Sequence, residues 1–140
     1  MAMISLTWIY KSPYKLFACG LDAEQVERFI GYIANGDHPM PFVFSKEEIR
    51  HFNQLAEPEK GFCAAYCSKE AFFKAVSLPY NFNECELYFS DEASWQTLKL
   101  SDDIKKKFGI LSAEVKLEFF EYPFQECIAA VYLFKDHGSQ

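Results

Sequence analysis

Two short stretches of this 140-residue chain carry side chains suited to phosphate chemistry. The first is Gly20-Leu21-Asp22-Ala23-Glu24, where an apolar run from Leu16 meets acidic residues. The second is Tyr66-Cys67-Ser68-Lys69-Glu70-Ala71-Phe72-Phe73-Lys74. On a helix, Tyr66, Glu70 and Lys74 recur every four residues and share one face. Lys69 is turned about 100° from Glu70 around the axis. Mg2+ takes oxygen ligands, commonly one or two carboxylates, and leaves the remaining positions to water and phosphate oxygens. Asp22 at a strand end and Glu70 on a packed helix are suited to that task, with Glu24 as a third acid. Lys74, one turn along, is placed to neutralise phosphate charge as a bond breaks. A carboxylate beside it can take a proton from an attacking hydroxyl. Each residue also has a plainer use. Asp22 suits a helix cap, Glu70 and Lys74 an exposed pair worth ~0.2–0.5 kcal/mol, and Tyr66, Phe72 and Phe73 a core. Residue types and spacing alone leave both readings open.

The elements that must position these groups follow from periodicity. Leu16 to Leu21 reads as a buried strand. Val26, Phe29, Ile30 and Ile33 recur at helical spacing, and Asp22 to Gln25 has the capping-box pattern. Asn35-Gly36, Pro39 and Pro41 are stop signals for that helix. Ser45 to Glu48 is a second capping box, opening a helix with Ile49, Phe52 and Leu55 on one face. Pro58 suits the first turn of a third helix, predicted over 59–76. Cys85, Leu87 and Phe89 alternate with Glu84, Glu86 and Tyr88 as on a strand. Asp91 to Ser94 reads as a turn, and Trp95 to Leu100 as the returning strand. Ser101 caps a short basic helix that Gly109 ends. Val115, Leu117 and Phe119 alternate with Glu114, Lys116 and Glu118, and Cys127 to Phe134 is an apolar, interior strand. Helices and strands come in separate runs, which indicates an α+β fold with three helices on a mainly antiparallel sheet.

Composition bounds the function. Half of the residues are apolar, enough for a real core, and the length fits a single domain over 1–140 with 1–14 as an N-terminal extension. The net charge of −6 makes no nucleic-acid partner the expectation. No apolar run reaches membrane-spanning length, and Met1 to Tyr10 lacks the basic start of a signal peptide. The expected setting is therefore soluble and cytoplasmic, with no membrane partner. Cys19, Cys63, Cys67, Cys85 and Cys127 are an odd set without a CxxC pair, which reads as reduced thiols. Nothing near Cys63 and Cys67 completes four zinc ligands. His38, His51 and His137 receive no catalytic role.

Together the two acidic stretches resemble the 4′-phosphopantetheinyl transferases, above all the small holo-acyl-carrier-protein synthase branch. Gly20-Leu-Asp-Ala-Glu-Gln-Val-Glu-Arg-Phe29 is similar to that family's G-[IV]-D-I-x-x-I-x-R-[IF] segment. Tyr66 to Lys74 is similar to its [WF]-x-x-K-E-[AS]-x-x-K motif, with Tyr in the aromatic slot. Phe44 to Glu48 resembles F-T-P-E-E, Ser94 to Ser101 a hairpin return ending L-x-L-S, and Lys107 to Ile110 the L-G-[IV] stretch. The resemblance runs from Leu16 to Phe134. It implies transfer of the phosphopantetheine arm of coenzyme A to a serine of an acyl carrier protein, with Mg2+. It further implies Asp22, Glu70 and Glu24 as metal ligands, and Glu70 and Lys74 as catalytic. Lys69 and Lys74 would meet the coenzyme A phosphates, Arg28 would contact the carrier protein, and the assembly would be a homotrimer. Strand position alone, not the resemblance, adds Lys116 as a replacement phosphate contact.

Three stretches depart from the family pattern. Ala75 to Pro79 lacks the glycine of the family's phosphate loop, Gly61 and Ala65 stand where arginines are usual, and Lys116 to Phe119 replaces an S-x-S-H segment. An active transferase is therefore set beside a second reading: a non-catalytic relative that binds a carrier protein or coenzyme A as an assembly subunit.

Overall fold

The computed structural model describes residues 14–30 and 42–136. In chain order these form strand β1 (Tyr14–Gln25), a 3-10 turn (Val26–Phe29), helices α1 (Lys46–Asn53) and α2 (Pro58–Val76), and a second 3-10 turn (Phe82–Glu84). Strands β2 (Cys85–Glu86) and β3 (Trp95–Leu100), helix α3 (Asp102–Phe108), and strands β4 (Ser112–Phe120) and β5 (Glu126–Asp136) follow. The sheet order is β1-β5-β4-β3-β2, and every pairing is antiparallel. Among the described residues this is the expected α+β architecture, with three helices and an antiparallel sheet. The predicted stop signals at 35–41, His38, His137 and the residues before Tyr14 lie outside the described residues.

Local chemistry sets several boundaries where the sequence places them. The Ser45 hydroxyl accepts from the Glu48 N–H while the Glu48 carboxylate accepts from the Ser45 N–H, a complete capping box. Pro58 occupies the first turn of α2, where its missing N–H costs nothing. Ser101 caps α3, and Gly109 ends it in the left-handed region at φ 66°. Helix α2 packs on β1 and β5 and buries Phe62, Cys63, Ala64, Cys67, Ala71 and Phe72. Phe73, expected in the core, is 37% exposed.

One expectation fails with consequences for the site. Asp22 does not cap a helix. β1 continues through Gln25, and its ladder with β5 pairs Asp22 with Ala129 and Gln25 with Glu126. The turn at Val26 starts without any side-chain cap, its N–H donating to the Gln125 carbonyl. The partner strand, distant in sequence, supplies what a local cap would have. The Asp22 carboxylate is thereby left for other work.

Candidate active site between strand β1 and helix α2

Gly20 permits the site. A Cβ built there would lie 2.1 Å from the Ala71 carbonyl oxygen and 2.9 Å from the Ala75 nitrogen. Only a residue without Cβ lets α2 settle this closely on β1. Two thiols stitch the same contact. Cys67 Sγ donates to the Asp22 carbonyl at 3.1 Å, and Cys63 Sγ lies 3.7 Å from the Glu24 carbonyl. The Gly-x-Asp segment and the helix that carries Glu70 and Lys74 are thus held face to face.

Asp22 points to the α2 side of the sheet, in line with buried Ala129 and Leu117. Its Oδ1 accepts from Lys74 Nζ at 2.8 Å, while the Lys74 side chain stays 53% exposed. The expected pairing of Lys74 with Glu70 along the helix therefore gives way to a bridge across to the strand. That hydrogen bond holds the Lys74 ammonium above its ordinary pKa. Glu24 lies two residues along the same strand face and pairs with Arg28. Burial pushes the Glu24 carboxyl up and Arg28 pulls it back, but the Asp22 and Glu70 carboxylates push it up again. Asp22, Glu24 and Glu70 are therefore one electrostatic neighbourhood. Arg28 also lies 5.7 Å from the ring centre of Tyr66. The structure brings together Asp22, Glu24, Arg28, Tyr66, Glu70 and Lys74.

Two expected members stand elsewhere. Lys69 is fully buried on the other side of α2, where its Nζ donates to Glu48 Oε1 and to the Val43 carbonyl, each at 2.5 Å. The expectation that Lys69 meets coenzyme phosphates is corrected: it closes the core beneath the Ser45 capping box. Burial lowers the Lys69 pKa and raises that of Glu48, each opposed by the partner's charge. Lys116 is also corrected. Cross-strand partners share a sheet face, and Lys116 aligns with Ala130 and Leu21, one residue out of step with Leu117, Ala129 and Asp22. It therefore points to the opposite face, paired with Glu118 at 3.3 Å.

Asp22 Oδ2 is buried with no hydrogen-bond partner. A buried carboxylate oxygen without a donor is costly. A hard cation would satisfy it, and three neighbouring carboxylates attract one. Among the described residues, no three His, Cys, Asp or Glu side chains form a ready metal cage. Mg2+ does not need one, because one or two carboxylates plus water and phosphate oxygens suffice. The donor set fits Mg2+ in that sense.

The family model described as the 4′-phosphopantetheinyl transferase superfamily matches residues 18–123, a span that contains both acidic stretches. Solved structures are similar in fold. A Helicobacter pylori holo-[acyl-carrier-protein] synthase in complex with coenzyme A matches with TM-score 0.64 and 18% identity over 82% of this chain and 98% of that one. A Neisseria meningitidis holo-[acyl-carrier-protein] synthase gives 0.64 and 17% over 84% and 98%. A Plasmodium yoelii acyl carrier protein synthase with ADP bound gives 0.66 and 16% over 87% and 97%. By sequence alone no curated protein matches. The chain belongs to the 4′-phosphopantetheinyl transferase superfamily, and by that membership it is a phosphopantetheinyl transferase.

Proposed function

We propose that this protein moves the phosphopantetheine arm of coenzyme A to a serine of an acyl carrier protein, with Mg2+ held at the β1–α2 seam. The observation that carries the reading is the buried, unpartnered Asp22 Oδ2 within a group that also holds Glu24, Glu70 and Lys74. Asp22 and Glu70 would hold the metal, with Glu24 as a third acid. When bound, Mg2+ would offset charge on the diphosphate of coenzyme A. Lys74, exposed and charged, leaves Asp22 to meet the phosphate as charge grows on the leaving oxygen. Glu70 takes the serine proton, directly or through a water. The serine oxygen then attacks the phosphorus, and the bond to adenosine 3′,5′-bisphosphate breaks. Arg28, half exposed at the rim, is offered to an acidic carrier surface.

A homotrimer, from the family resemblance, and a cytoplasmic setting are part of the same proposal. All five cysteines are free, as expected of a reducing compartment. Among the described residues no helix is long and apolar enough to cross a membrane. The test is incubation with coenzyme A, Mg2+ and a panel of apo carrier proteins, read by intact mass. Arm addition supports the enzyme. Binding of a carrier or of coenzyme A without any transfer across the panel supports the non-catalytic alternative instead.

A further inference from the structure

Each of the two β1 acids of the site is held by a cation that stands half in solvent. Asp22 and Glu24 lie two residues apart on one strand face. The Asp22 side chain is only 10% exposed, and its Oδ1 accepts from Lys74 Nζ at 2.8 Å. The Glu24 side chain is only 14% exposed, and its Oε2 accepts from the Arg28 guanidinium. The Lys74 and Arg28 side chains are 53% and 50% exposed. The two cations reach the acids from different elements. Lys74 stands in the last turn of α2. Arg28 stands in the 3-10 turn after β1, 5.7 Å from the ring centre of Tyr66. Tyr66 and Lys74 are two turns apart on one helix face, about 12 Å along the axis. The cations therefore flank the acid pair at opposite ends. Carboxylates set this deep require counter-charge. Each takes it from a side chain long enough to turn outward instead.

We propose that Lys74 and Arg28 are exchangeable counter-ions of the metal site, handed over to the two substrates when a divalent cation takes their place on Asp22 and Glu24. This rests on the metal reading of the site given above. The physical reason is competition for the same carboxylates. An ammonium or guanidinium and a divalent cation repel each other at such short range. Both therefore cannot hold one carboxylate at full strength. Lys74 then turns to the diphosphate of coenzyme A, and Arg28 to an acidic carrier surface. Metal and coenzyme affinities become coupled through Lys74, because each favours the arrangement in which Lys74 has left Asp22. The coupling is reciprocal. The side chains that neutralise the two acids beforehand are thus the ones that meet the substrates afterwards.

The test uses Mn2+ as the probe, followed by the loss of its free electron-paramagnetic-resonance signal. Lys74→Met and Arg28→Met each remove one counter-ion and keep an apolar stem, and the unfolding midpoint checks that the fold is intact. Each should bind Mn2+ about two- to fivefold more tightly than wild type, the scale of one half-exposed ion pair. Lys105→Met on α3 controls for net charge and should bind as wild type does. Wild-type affinity in Lys74→Met or Arg28→Met, or equal tightening in Lys105→Met, overturns the proposal while the metal site stands. A second measurement needs no metal. In EDTA, Asp22→Asn loosens the hold on Lys74 and should bind coenzyme A about two- to fivefold more tightly than wild type. The same substitution made on Lys74→Met should bring no gain. An equal gain in both backgrounds is plain charge repulsion and sinks the handover. If wild type binds no Mn2+, or Asp22→Asn binds it equally well, the metal reading fails and this inference falls with it.

Discussion

Gly20→Ala offers a sharp test of how the site is held. The new Cβ would sit 2.1 Å from the Ala71 carbonyl oxygen and 2.9 Å from the Ala75 nitrogen, both of them backbone atoms of α2. Non-bonded heavy atoms settle at about 3.5 Å or more, so the helix must retreat by roughly 1 Å at that point. No side-chain rotation relieves the clash. Overpacking of this kind costs ~1–3 kcal/mol, with the upper end expected here. The retreat also draws Glu70 and Lys74 away from Asp22, and a misplacement of about 1 Å at reacting groups can cost ~100-fold in rate. Gly61→Ala is the control. The nearest atoms to its Cβ would be side-chain rather than backbone atoms, Leu55 Cδ1 and Phe52 Cδ1 each at 2.7 Å and Phe52 Cγ at 3.1 Å, so the core repacks while the helix backbone keeps its place. Urea unfolding and arm transfer per folded molecule are measured for both variants. Gly20→Ala should lose stability and about two orders of magnitude in rate, whereas Gly61→Ala should lose stability alone. A Gly20→Ala protein with wild-type transfer would refute the close-approach argument.

Other outcomes follow from the same structure. Lys69→Met leaves Glu48 charged and buried, which should cost ~3–5 kcal/mol in chemical denaturation; adding Glu48→Gln should recover part of that loss, because it removes the stranded charge. Cys85 is buried and its thiol is pushed up from 9.0 to about 12. A raised folded pKa means its contribution is complete below pH 9 and lost as pH climbs towards 12. Stability should therefore fall across that window, and less steeply in Cys85→Ala. Native alkylation at pH 8 should modify Cys19, which is exposed, and spare the four buried thiols until the chain unfolds. Lys74→Met removes the cation nearest Asp22 and should lower transfer by ~100-fold while leaving the unfolding midpoint near wild type, since the Lys74 side chain is 53% exposed.

Features written into neighbouring residues were legible in the sequence. The Ser45–Glu48 capping box, the Pro58 start of α2 and the Gly109 stop of α3 each depend on a few consecutive residues. Tertiary pairing decided the rest. Asp22 has the local signature of a cap, yet the β5 ladder carries the strand past it. Lys69 and Glu70 are adjacent in sequence, and only the position of the core says which of them is buried; Glu48 then supplies the counter-charge from 21 residues away. The outward parity of Lys116 requires the register of three strands.

The most direct test of the central claim is arm transfer to an apo carrier protein by Asp22→Asn and Glu70→Gln, compared with wild type by intact mass at saturating coenzyme A and Mg2+. Both substitutions are nearly isosteric, so the fold should persist, as circular dichroism would verify. The account predicts efficient transfer by wild type and a loss of at least ~100-fold in each variant, on the scale of removing a preorganised electrostatic group. Transfer at wild-type rates by either variant would contradict it.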